Sequence, residues 1–399
     1  MNTALLQDDD ILLEGDTHSN SQNNGATLKA PLVRDAVRHL QPYVPGKPIE
    51  EVKRELGLPD DFSLYKLASN ENVLGPSPRA VEAMQRAAAQ VWLYPDDTCF
   101  ALKNAIAAFH GLKPDNFVVG NGSDEVIHFL SLAFLDATRG DEIVFGSPSF
   151  VQYKACAMLA GCAFHAVPLT PDLRHDLPAM AARVNPNTRL VFIANPNNPT
   201  GTVVSRREFE GFLSQMPPHV LVVLDEAYHE YADGDVPHSL DYLESHNVLG
   251  LRTFSKAYGL AGTRVGYGVA RANIIKDLQQ VRGPFNVNSL AQVAAIAALD
   301  DTEHLARSVE TNAAGRTQLE AAFDAMKLEY IPSQANFVFV NIGVDSAKVF
   351  PDFLRAGVIV RTGTPFGLPT WIRVSVGTKE MNDRFLEALQ TICHRDHKE

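Results

Sequence analysis

Short apolar segments alternate with amphipathic segments from about residue 67 to residue 287. Several apolar segments are continuous runs, which is typical of parallel strands that are covered on both faces. Strands are predicted at residues 117–119, 142–145, 163–167, 190–194, 220–224, 248–252 and 265–269, with helices between them at 79–90, 98–110, 123–135 and 206–214. The alternation indicates a three-layer α/β domain whose ligand site lies outside the carboxyl ends of the strands.

The pattern changes after residue 288. An Ala-rich helix is predicted at residues 289–299, followed by strands at 336–341, 358–361 and 371–376 and a closing helix at 380–391. This mixture is typical of a smaller α+β domain. The predicted organisation is a large, mainly parallel α/β domain over residues 67–288 and a small C-terminal domain over residues 289–399.

The N-terminal part of the chain divides into two predicted segments. Residues 1–32 are mostly polar and are expected to form a disordered tail. Residues 33–66 are expected to begin with a helix at 33–40 and to join the small domain. The first residues lack the basic region of a targeting peptide, so none is expected.

Composition limits the classes of function. The chain has 399 residues, a hydrophobic content of 45% and a charged content of 21%, which are ordinary values for a soluble globular protein. The formal net charge of -12 argues against a general nucleic-acid binder. No apolar run approaches the ~18 residues of a membrane span, so no membrane partner is expected.

The four cysteines form neither a CxxC pair nor a recognisable metal-ligand spacing. They are predicted to be reduced thiols of a cytoplasmic protein, with a disulfide between Cys156 and Cys162 as the less favoured alternative. No metal site is expected.

Lys256 follows a predicted strand and a Thr-Phe-Ser turn, which places its ammonium group at the ligand-binding edge of the sheet. There the amine can form a Schiff base with an aldehyde and transfer a proton when it is released. An isolated lysine is usually a solvated surface residue, so this interpretation depends on the other residues near it. One of them, Asp225, ends an apolar run, where a partly desolvated carboxylate can pair with a protonated pyridine nitrogen. A helix N-cap and a solvent-facing strand end are the alternatives for Asp225.

Two further side chains can bind the phenolic oxygen of a pyridine ring. Tyr228 lies three residues after Asp225, and Asn198 lies in the proline-fixed turn of residues 195–201. Both can donate a hydrogen bond to that oxygen. The alternative for Asn198 is a turn residue that bonds its own backbone, which the full string of residues 195–201 disfavours.

A phosphate site is predicted after the strand at residues 117–119. Residues 120–125 form a Gly-rich turn that opens a helix, where free N–H groups bind anions, although many nucleotide-binding folds have such a turn. Thr253 and Ser255 add hydroxyl groups, and Arg264 adds a charge that can bind two phosphate oxygens. Phe150 can stack on a pyridine face, but it would be equally ordinary as a core residue.

A lysine, an acid, a phenol, an amide and an arginine in this order are what an enzyme needs to hold pyridoxal 5′-phosphate (PLP). Together they resemble the fold type I PLP-dependent aminotransferases of class II, and more narrowly the histidinol-phosphate aminotransferase family. The resemblance extends from about residue 33 to the C-terminus and implies an aspartate-aminotransferase-like fold. The segments that carry it are residues 68–72, 94–96, 120–125, 195–201, 225–228, 253–260 and 371–375.

The resemblance also implies a role for each cofactor residue. Lys256 is the implied lysine that binds the aldehyde, Asp225 the partner of the pyridine nitrogen, and Tyr228 and Asn198 the donors to the 3′-oxygen. The implied phosphate ligands are Ser123, Asp124, Thr253, Ser255 and Arg264.

For the substrate, the resemblance implies that Arg361 and Arg373 hold the anionic end while Tyr43 closes over it from the N-terminal segment. Asn198 is implied to contact both cofactor and substrate. Tyr94 is implied to reach the cofactor phosphate of the neighbouring subunit, which makes a homodimer the functional unit. The chain departs from the family at Phe150, where a tyrosine is common, and in its long polar tail, and both departures bear on substrate choice.

The implied reaction transfers an amino group between L-histidinol phosphate and 2-oxoglutarate, giving imidazole acetol phosphate and L-glutamate in histidine biosynthesis. An aromatic amino-acid aminotransferase is the first alternative, because Arg373 can bind an α-carboxylate as well as a phosphate. A PLP lyase similar to threonine-phosphate decarboxylase is the second. A PLP-sensing regulator would need a DNA-binding domain, for which the tail of roughly 30 residues is too short and too acidic.

Overall fold

The computed structural model describes residues 33–38, 40 and 46–396. The helices are α1 (Asp35–Arg38), α2 (Ile49–Leu56), α3 (Pro78–Ala87), α4 (Phe100–His110), α5 (Ser123–Phe134), α6 (Gln152–Ala160), α7 (Leu177–Arg183), α8 (Arg206–Leu213), α9 (Ala272–Val281), α10 (Ser289–Leu299), α11 (Thr302–Met326), α12 (Ser346–Arg355) and α13 (Lys379–Asp396). The strands are β1 (Tyr65–Lys66), β2 (Phe117–Gly120), β3 (Glu142–Ser147), β4 (Ala163–Pro168), β5 (Thr188–Ala194), β6 (Leu221–Asp225), β7 (Val248–Thr253), β8 (Gly266–Val269), β9 (Tyr330–Ile331), β10 (Phe337–Asn341), β11 (Val358–Ile359), β12 (Arg361–Thr362) and β13 (Trp371–Ser375).

A seven-stranded sheet in the order β2-β8-β7-β6-β5-β3-β4 forms the middle layer of the larger unit. Strands β3 to β7 pair in parallel, whereas β8 is antiparallel to both of its neighbours. Side chains alternate between the two faces, as successive residues of a strand must. In β5, Leu190 and Phe192 pack with α5, α6 and α9, while Val191 and Ile193 pack with α7 and α8. The predicted three-layer α/β architecture is therefore confirmed.

Three neighbouring parallel strands, β5, β6 and β7, end at the same edge of this sheet. Their last residues are Ala194, Asp225 and Thr253. The segments that follow these residues contain Asn198, Tyr228 and Lys256, so the topology places them at one ligand-binding edge.

A second sheet, in the order β12-β13-β10-β9, is antiparallel and packs on α11, α12 and α13. Phe323, Phe353 and Phe385 are fully buried in this smaller core. The prediction of one strand at residues 358–361 is wrong, because the segment divides between two sheets. Strand β11 pairs in parallel with β1, whereas β12 pairs with β13. The two-stranded pair ties residues 65–66 to this smaller unit.

The predicted strands and helices otherwise match the structure to within about two residues, except at the ends of the chain. Only Asp35–Arg38 is helical in the predicted helix at 33–40, and residues 1–32 lie outside the described residues. The 25-residue helix α11 was not predicted. Its buried positions recur at helical spacing but include His304, Ser308 and Asn312, so a hydrophobic pattern does not reveal them. None of the helices described here is long and apolar enough to cross a membrane.

Candidate active site

Lys256 lies beyond the end of β7 in the interior of the predicted site. Its Nζ donates a hydrogen bond of 3.1 Å to the Ser69 carbonyl and lies 5.6 Å from the centre of the Tyr228 ring. The side chain is only partly accessible. The alternative of a solvated surface lysine is therefore wrong.

Asp225 is 5% exposed at the end of β6. Its carboxylate accepts hydrogen bonds from the Tyr153 hydroxyl at 2.6 Å and from the Ala227 backbone N–H at 3.1 Å. Burial raises the pKa of Asp225 to about 6, although these two donors lower it. A carboxylate in this position is not a solvent-facing strand end. It is suited to a cationic partner that restores the charge stabilisation lost on burial.

Tyr153 is a residue that sequence reasoning missed. It lies on α6, is fully buried, and stacks on Phe192 of β5 with ring centroids 4.6 Å apart. No motif marks it, because its role follows only from the packing of α6 over the sheet. Phe150 contacts the Tyr153 ring edge-on at 5.7 Å, so the predicted stacking residue lies next to the partner of Asp225.

The side chain of Asn198 does not bond its own turn. Its Oδ1 accepts a hydrogen bond from Nη1 of Arg373. The neighbouring amides hold the turn instead: Asn195 Oδ1 accepts from the Val204 N–H at 2.8 Å, and Asn197 Nδ2 donates to Thr200 at 2.9 Å. The turn-residue alternative for Asn198 is therefore wrong.

Residues 68–70 connect the two sheets at the site. The Ala68 carbonyl accepts from Arg373 Nη2 at 2.7 Å, and the Ser69 carbonyl accepts from Lys256. Asn70 donates from Nδ2 to the Tyr228 hydroxyl at 3.0 Å. These residues were identified only as part of the resembling segment 68–72, and the structure shows how they position three of the predicted side chains.

Asn70 is held in an unusual backbone conformation. Its φ angle is 58°, in the left-handed region that asparagine tolerates better than most residues. Its N–H donates to Ser375 Oγ at 2.8 Å, and its carbonyl accepts from Asn336 Nδ2 at 2.9 Å. Ser375 and Asn336 both belong to the smaller unit. The packing of that unit against residues 68–70 therefore fixes the Asn70 side chain in its direction toward Tyr228.

The N-terminus of α5 forms a cradle that suits an anion. Gly122 precedes it with a φ angle of 77°, and a Cβ atom there would lie 2.6 Å from Arg264 Nη2. A Cβ on Gly266 would lie 2.5 Å from the Ser123 nitrogen. Glycine at both positions keeps the backbone donors and the guanidinium close together, which is what a phosphate requires.

The predicted side chains around this cradle also come together. Arg264 Nη2 donates to Asp124 at 3.4 Å, and Thr253 Oγ1 accepts from the Ser255 N–H at 3.1 Å. Burial raises the pKa of Asp124, while the positive charges of Arg264 and Lys256 lower it. The phosphate end and the lysine end of the site are therefore within electrostatic range of each other.

Arg361 and Arg373 face each other directly across the antiparallel strands β12 and β13. Cross-strand partners in this arrangement lie on the same face of a sheet, and like charges there are destabilising. Arg373 is buried, with its guanidinium 5.3 Å from the centre of the Phe337 ring. Two arginines in this position are suited to binding a doubly charged anion.

One predicted residue, Tyr94, lies at the surface. It is 81% exposed and stacks on Phe285 with ring centroids 4.7 Å apart. Tyr43 lies outside the described residues.

Glu226, His229 and His238 form a cluster that the spacing of the sequence does not reveal. One ligand atom from each lies within 4.8 Å of the others. The Glu226 carboxylate is already bonded to Ser239 and, at 2.9 Å, to Arg252 Nε. Burial raises the pKa of Glu226, but the charges of Arg252 and His229 and the hydrogen bonds from Arg252 and Ser239 together outweigh burial, and the pKa falls to about 2. This ion pair holds the segment after Asp225 against β7.

The site therefore contains an anion cradle at a helix N-terminus, a buried carboxylate suited to a cationic ring nitrogen, and a lysine whose charge acts on Asp124 in the cradle. These groups match the phosphate, the pyridine ring and the aldehyde of PLP. The fit depends on the Gly122 and Gly266 positions, where any larger side chain would fill the cradle.

Comparison with known proteins agrees with this fit. The model of the family "aminotransferase class I and II" matches residues 63–389. A histidinol-phosphate aminotransferase of Moorella thermoacetica is 53% identical over 365 residues, which cover 91% of this chain and 93% of the relative.

Solved structures show the same fold. A histidinol-phosphate aminotransferase from Sinorhizobium meliloti in complex with pyridoxal 5′-phosphate superimposes with a TM-score of 0.83 at 29% identity, covering 92% of this chain and 100% of the other. A Thermus thermophilus aspartate aminotransferase double mutant superimposes with a TM-score of 0.76 at 23% identity, covering 92% and 100% of the two chains. The chain belongs to the PLP-dependent class I and II aminotransferases, and within them to the histidinol-phosphate aminotransferase family.

Proposed function

We propose that the chain transfers an amino group between L-histidinol phosphate and 2-oxoglutarate, as a step of histidine biosynthesis. The observation that carries this proposal is the cross-strand pair of Arg361 and Arg373 next to Asn198. A phosphate monoester carries up to two negative charges and can use both guanidinium groups, whereas a carboxylate needs only one. The Moorella thermoacetica relative is named a histidinol-phosphate aminotransferase, which supports this choice.

The cofactor residues take the roles that their positions support. Bound PLP supplies an electron sink for the carbon that loses its proton. Asp225 pairs with the ring nitrogen, Tyr228 and Asn198 donate to the 3′-oxygen, and Phe150 covers one ring face. The phosphate binds at the N-terminus of α5 through Ser123, the Asp124 backbone, Thr253, Ser255 and Arg264.

Lys256 would hold the cofactor aldehyde and, once the substrate amine has released it, would move a proton at its Nζ. The Ser69 carbonyl orients this nitrogen at 3.1 Å, and the neighbouring Tyr228 ring limits the access of water to it. A general base of this kind contributes most when it is fixed within reach of the substrate carbon. The hydrogen-bonded segment 68–70 supplies this positioning.

The functional unit of the proposal is a homodimer in which Tyr94 reaches the cofactor phosphate of the other subunit. Trp92 is 79% exposed and Tyr94 is 81% exposed, next to the half-exposed Val91, Leu93 and Phe285. Clustered apolar side chains at a surface mark an interface more often than a solvated face. Tyr43 is proposed to close over the substrate from the N-terminal segment.

The proposed domains follow the sheets. The seven-stranded sheet lies inside residues 67–288, and the four-stranded sheet lies inside residues 289–399. Residues 33–66 are joined to the smaller domain through the pairing of β1 with β11. The proposed location is the cytoplasm, in keeping with four free cysteines, three of them buried.

An aromatic amino-acid aminotransferase is the alternative, since Arg373 alone can bind a carboxylate. Profiling amino donors on the purified enzyme separates the two: a higher kcat/KM for histidinol phosphate than for phenylalanine or tyrosine supports the proposal. The reverse order would contradict it. Transfer that requires 2-oxoglutarate and releases no CO2 excludes a lyase.

Replacing Lys256 with alanine should lower transamination by about 10²–10⁴-fold, because the positioned base is lost. The absorbance band of lysine-bound cofactor should disappear while the far-UV circular dichroism stays unchanged. Lys276→Ala, at an exposed position on α9, is the control and should behave as wild type. Near-normal turnover by Lys256→Ala would contradict the assigned role.

Tyr153→Phe should shift the pH dependence of PLP binding. Binding is expected to weaken as the pH falls through about 6, because Asp225 then becomes protonated and cannot pair with a cationic ring. Loss of the Tyr153 hydrogen bond raises the Asp225 pKa further, so the midpoint should move upward by about one pH unit. Fluorescence titration of the apoenzyme with PLP measures this midpoint. An unchanged midpoint, or a step that persists in Asp225→Asn, would show that Asp225 is not the titrating group.

Arg361→Ala should weaken histidinol phosphate much more than histidinol, because only the phosphate ester presents the second charge. The expected rise in KM is about 10–100-fold, the range for one hydrogen bond to a charged group. Steady-state kinetics with both substrates measure the difference. Arg355→Ala, which removes an exposed arginine of α12, is the matched control. Equal losses for both substrates would place Arg361 away from the phosphate.

Tyr94→Phe should leave the dimer intact but weaken PLP binding by about 10-fold, because one hydrogen bond to the phosphate is removed. Sedimentation velocity gives the oligomeric state, and equilibrium dialysis gives the PLP affinity. Tyr65→Phe, whose hydroxyl bonds Glu380 in the smaller unit, controls for the loss of a phenol. A monomeric wild-type enzyme, or an unchanged affinity in Tyr94→Phe, would exclude the proposed contact.

A further inference from the structure

A small polar cavity lies behind the active site, between the segment after β1 and helix α11. Its lining includes Glu71, Tyr231, Asn312 and Asn336, and its volume of about 10 Å³ accommodates the centre of one water-sized particle. A site of this size holds a single water molecule or ion.

Three oxygen atoms of residues in this lining are buried and receive no hydrogen bond from the described part of the chain: Glu71 Oε2, Asn312 Oδ1 and Asn336 Oδ1. Asn312 is 6% exposed and Asn336 is 3% exposed, so bulk water does not solvate their amides. Buried polar atoms without a partner are rare in native proteins and indicate a water or an ion. Here three of them belong to residues that line one cavity.

In the side chains of Asn312 and Asn336, the amide nitrogen has a hydrogen-bond partner and the amide oxygen has none. Asn312 Nδ2 donates to the Ala335 carbonyl at 3.2 Å, and Asn336 Nδ2 donates to the Asn70 carbonyl at 2.9 Å. A carbonyl only accepts hydrogen bonds, so neither amide can be rotated to exchange its oxygen and nitrogen. All three free atoms are therefore acceptors.

Three acceptors exceed what one water molecule can satisfy, because water donates only two hydrogen bonds. Burial raises the pKa of Tyr231 and the hydrogen bond with the Asn336 side chain lowers it, but Asn336 Oδ1 itself receives no hydrogen bond. A cation interacts favourably with all three oxygens at once, and oxygen is the ligand that hard cations prefer.

The local charge favours a monovalent ion. The other oxygen of Glu71 forms an ion pair with Lys66, and the two asparagine amides are neutral. Divalent ions of this class are usually held by more carboxylate charge than this site offers. We propose that the cavity binds one Na⁺ or K⁺ ion through Glu71 Oε2, Asn312 Oδ1 and Asn336 Oδ1.

The ion links the smaller unit to the cofactor site. Asn336 bonds the carbonyl of Asn70, whose side chain bonds Tyr228. On the other side of Glu71, Asn72 Nδ2 donates to the Ala257 carbonyl at 2.8 Å, directly after Lys256. An ion bound to Glu71 and Asn336 therefore fixes the segment that positions both cofactor residues.

The first test compares the thermal unfolding of the PLP-bound enzyme in NaCl, KCl and choline chloride at equal ionic strength. An ion that binds only the folded state raises Tm, here by about 2–4 °C in the preferred salt. Choline is too large for the cavity and controls for ionic strength. Equal Tm values in the three salts would overturn the proposal, because a water-filled cavity has no preference among them.

Glu71→Gln is the matched variant. Its amide can donate a hydrogen bond to a neighbouring asparagine oxygen in place of the ion, so the difference between salts should disappear while PLP absorbance is retained. Lys66→Met removes the other partner of Glu71 but keeps Oε2, so the difference should persist. A salt effect of wild-type size in Glu71→Gln would overturn the assigned ligand.

Crystals grown in RbCl locate the ion without depending on how well the variants fold. One anomalous peak in the cavity, within contact of the three oxygens, is the expected result when K⁺ is the preferred ion. If only NaCl raises Tm, the expected result is instead a site with sodium coordination in a high-resolution electron-density map of crystals grown in NaCl. A peak or coordination site elsewhere, with only water in the cavity, would overturn the proposal.

Discussion

The buried carboxylate of Asp225 is the constraint on which the rest of the site depends. Burial disfavours the ionised form of this group. The pKa of Asp225 is still raised, to about 6, so the hydrogen bonds from Tyr153 and Ala227 only partly offset the effect of burial. A group with a raised pKa favours folding while it is protonated. The apoenzyme therefore loses this contribution as the pH rises from about 4 to about 6. A cationic pyridine ring beside this carboxylate would reverse the balance, because it would stabilise the ionised form.

The two sheets meet in the hydrogen bonds of residues 68–70. Three successive residues there bond Arg373, Lys256 and Tyr228, so these three side chains share one support. A displacement of the smaller unit would move all three together. The polar cavity beside Asn336 extends this support, and an ion bound there would couple the packing of α11 to the cofactor site.

The residues predicted to bind the cofactor meet at one edge of the sheet because their positions follow from local patterns. Asp225 ends an apolar strand, and Lys256 and Asn198 lie shortly after the strands on either side of it, which end at the same edge. The hydrogen bonds of Tyr153 to Asp225 and of Asn70 to Tyr228 were not predicted. In the sequence Tyr153 looks like any core aromatic residue, and the direction of the Asn70 side chain depends on its left-handed backbone conformation. Helix α11 was missed for a related reason, because buried His304, Ser308 and Asn312 interrupt its apolar pattern.

By itself the sequence determined the layered α/β architecture and the cofactor class, and it predicted which residues bind the cofactor. These follow from short-range patterns: strand periodicity, glycines at a helix N-terminus, and a lysine after a strand. Only the tertiary structure decided that residues 358–361 divide between two sheets, which sets Arg361 opposite Arg373. The tertiary structure also decided that the side-chain oxygens of Glu71, Asn312 and Asn336 that line the polar cavity receive no hydrogen bond from the described residues. The pairing of β1 with β11 joins residues that lie far apart in the chain, and no local pattern of side chains specifies it.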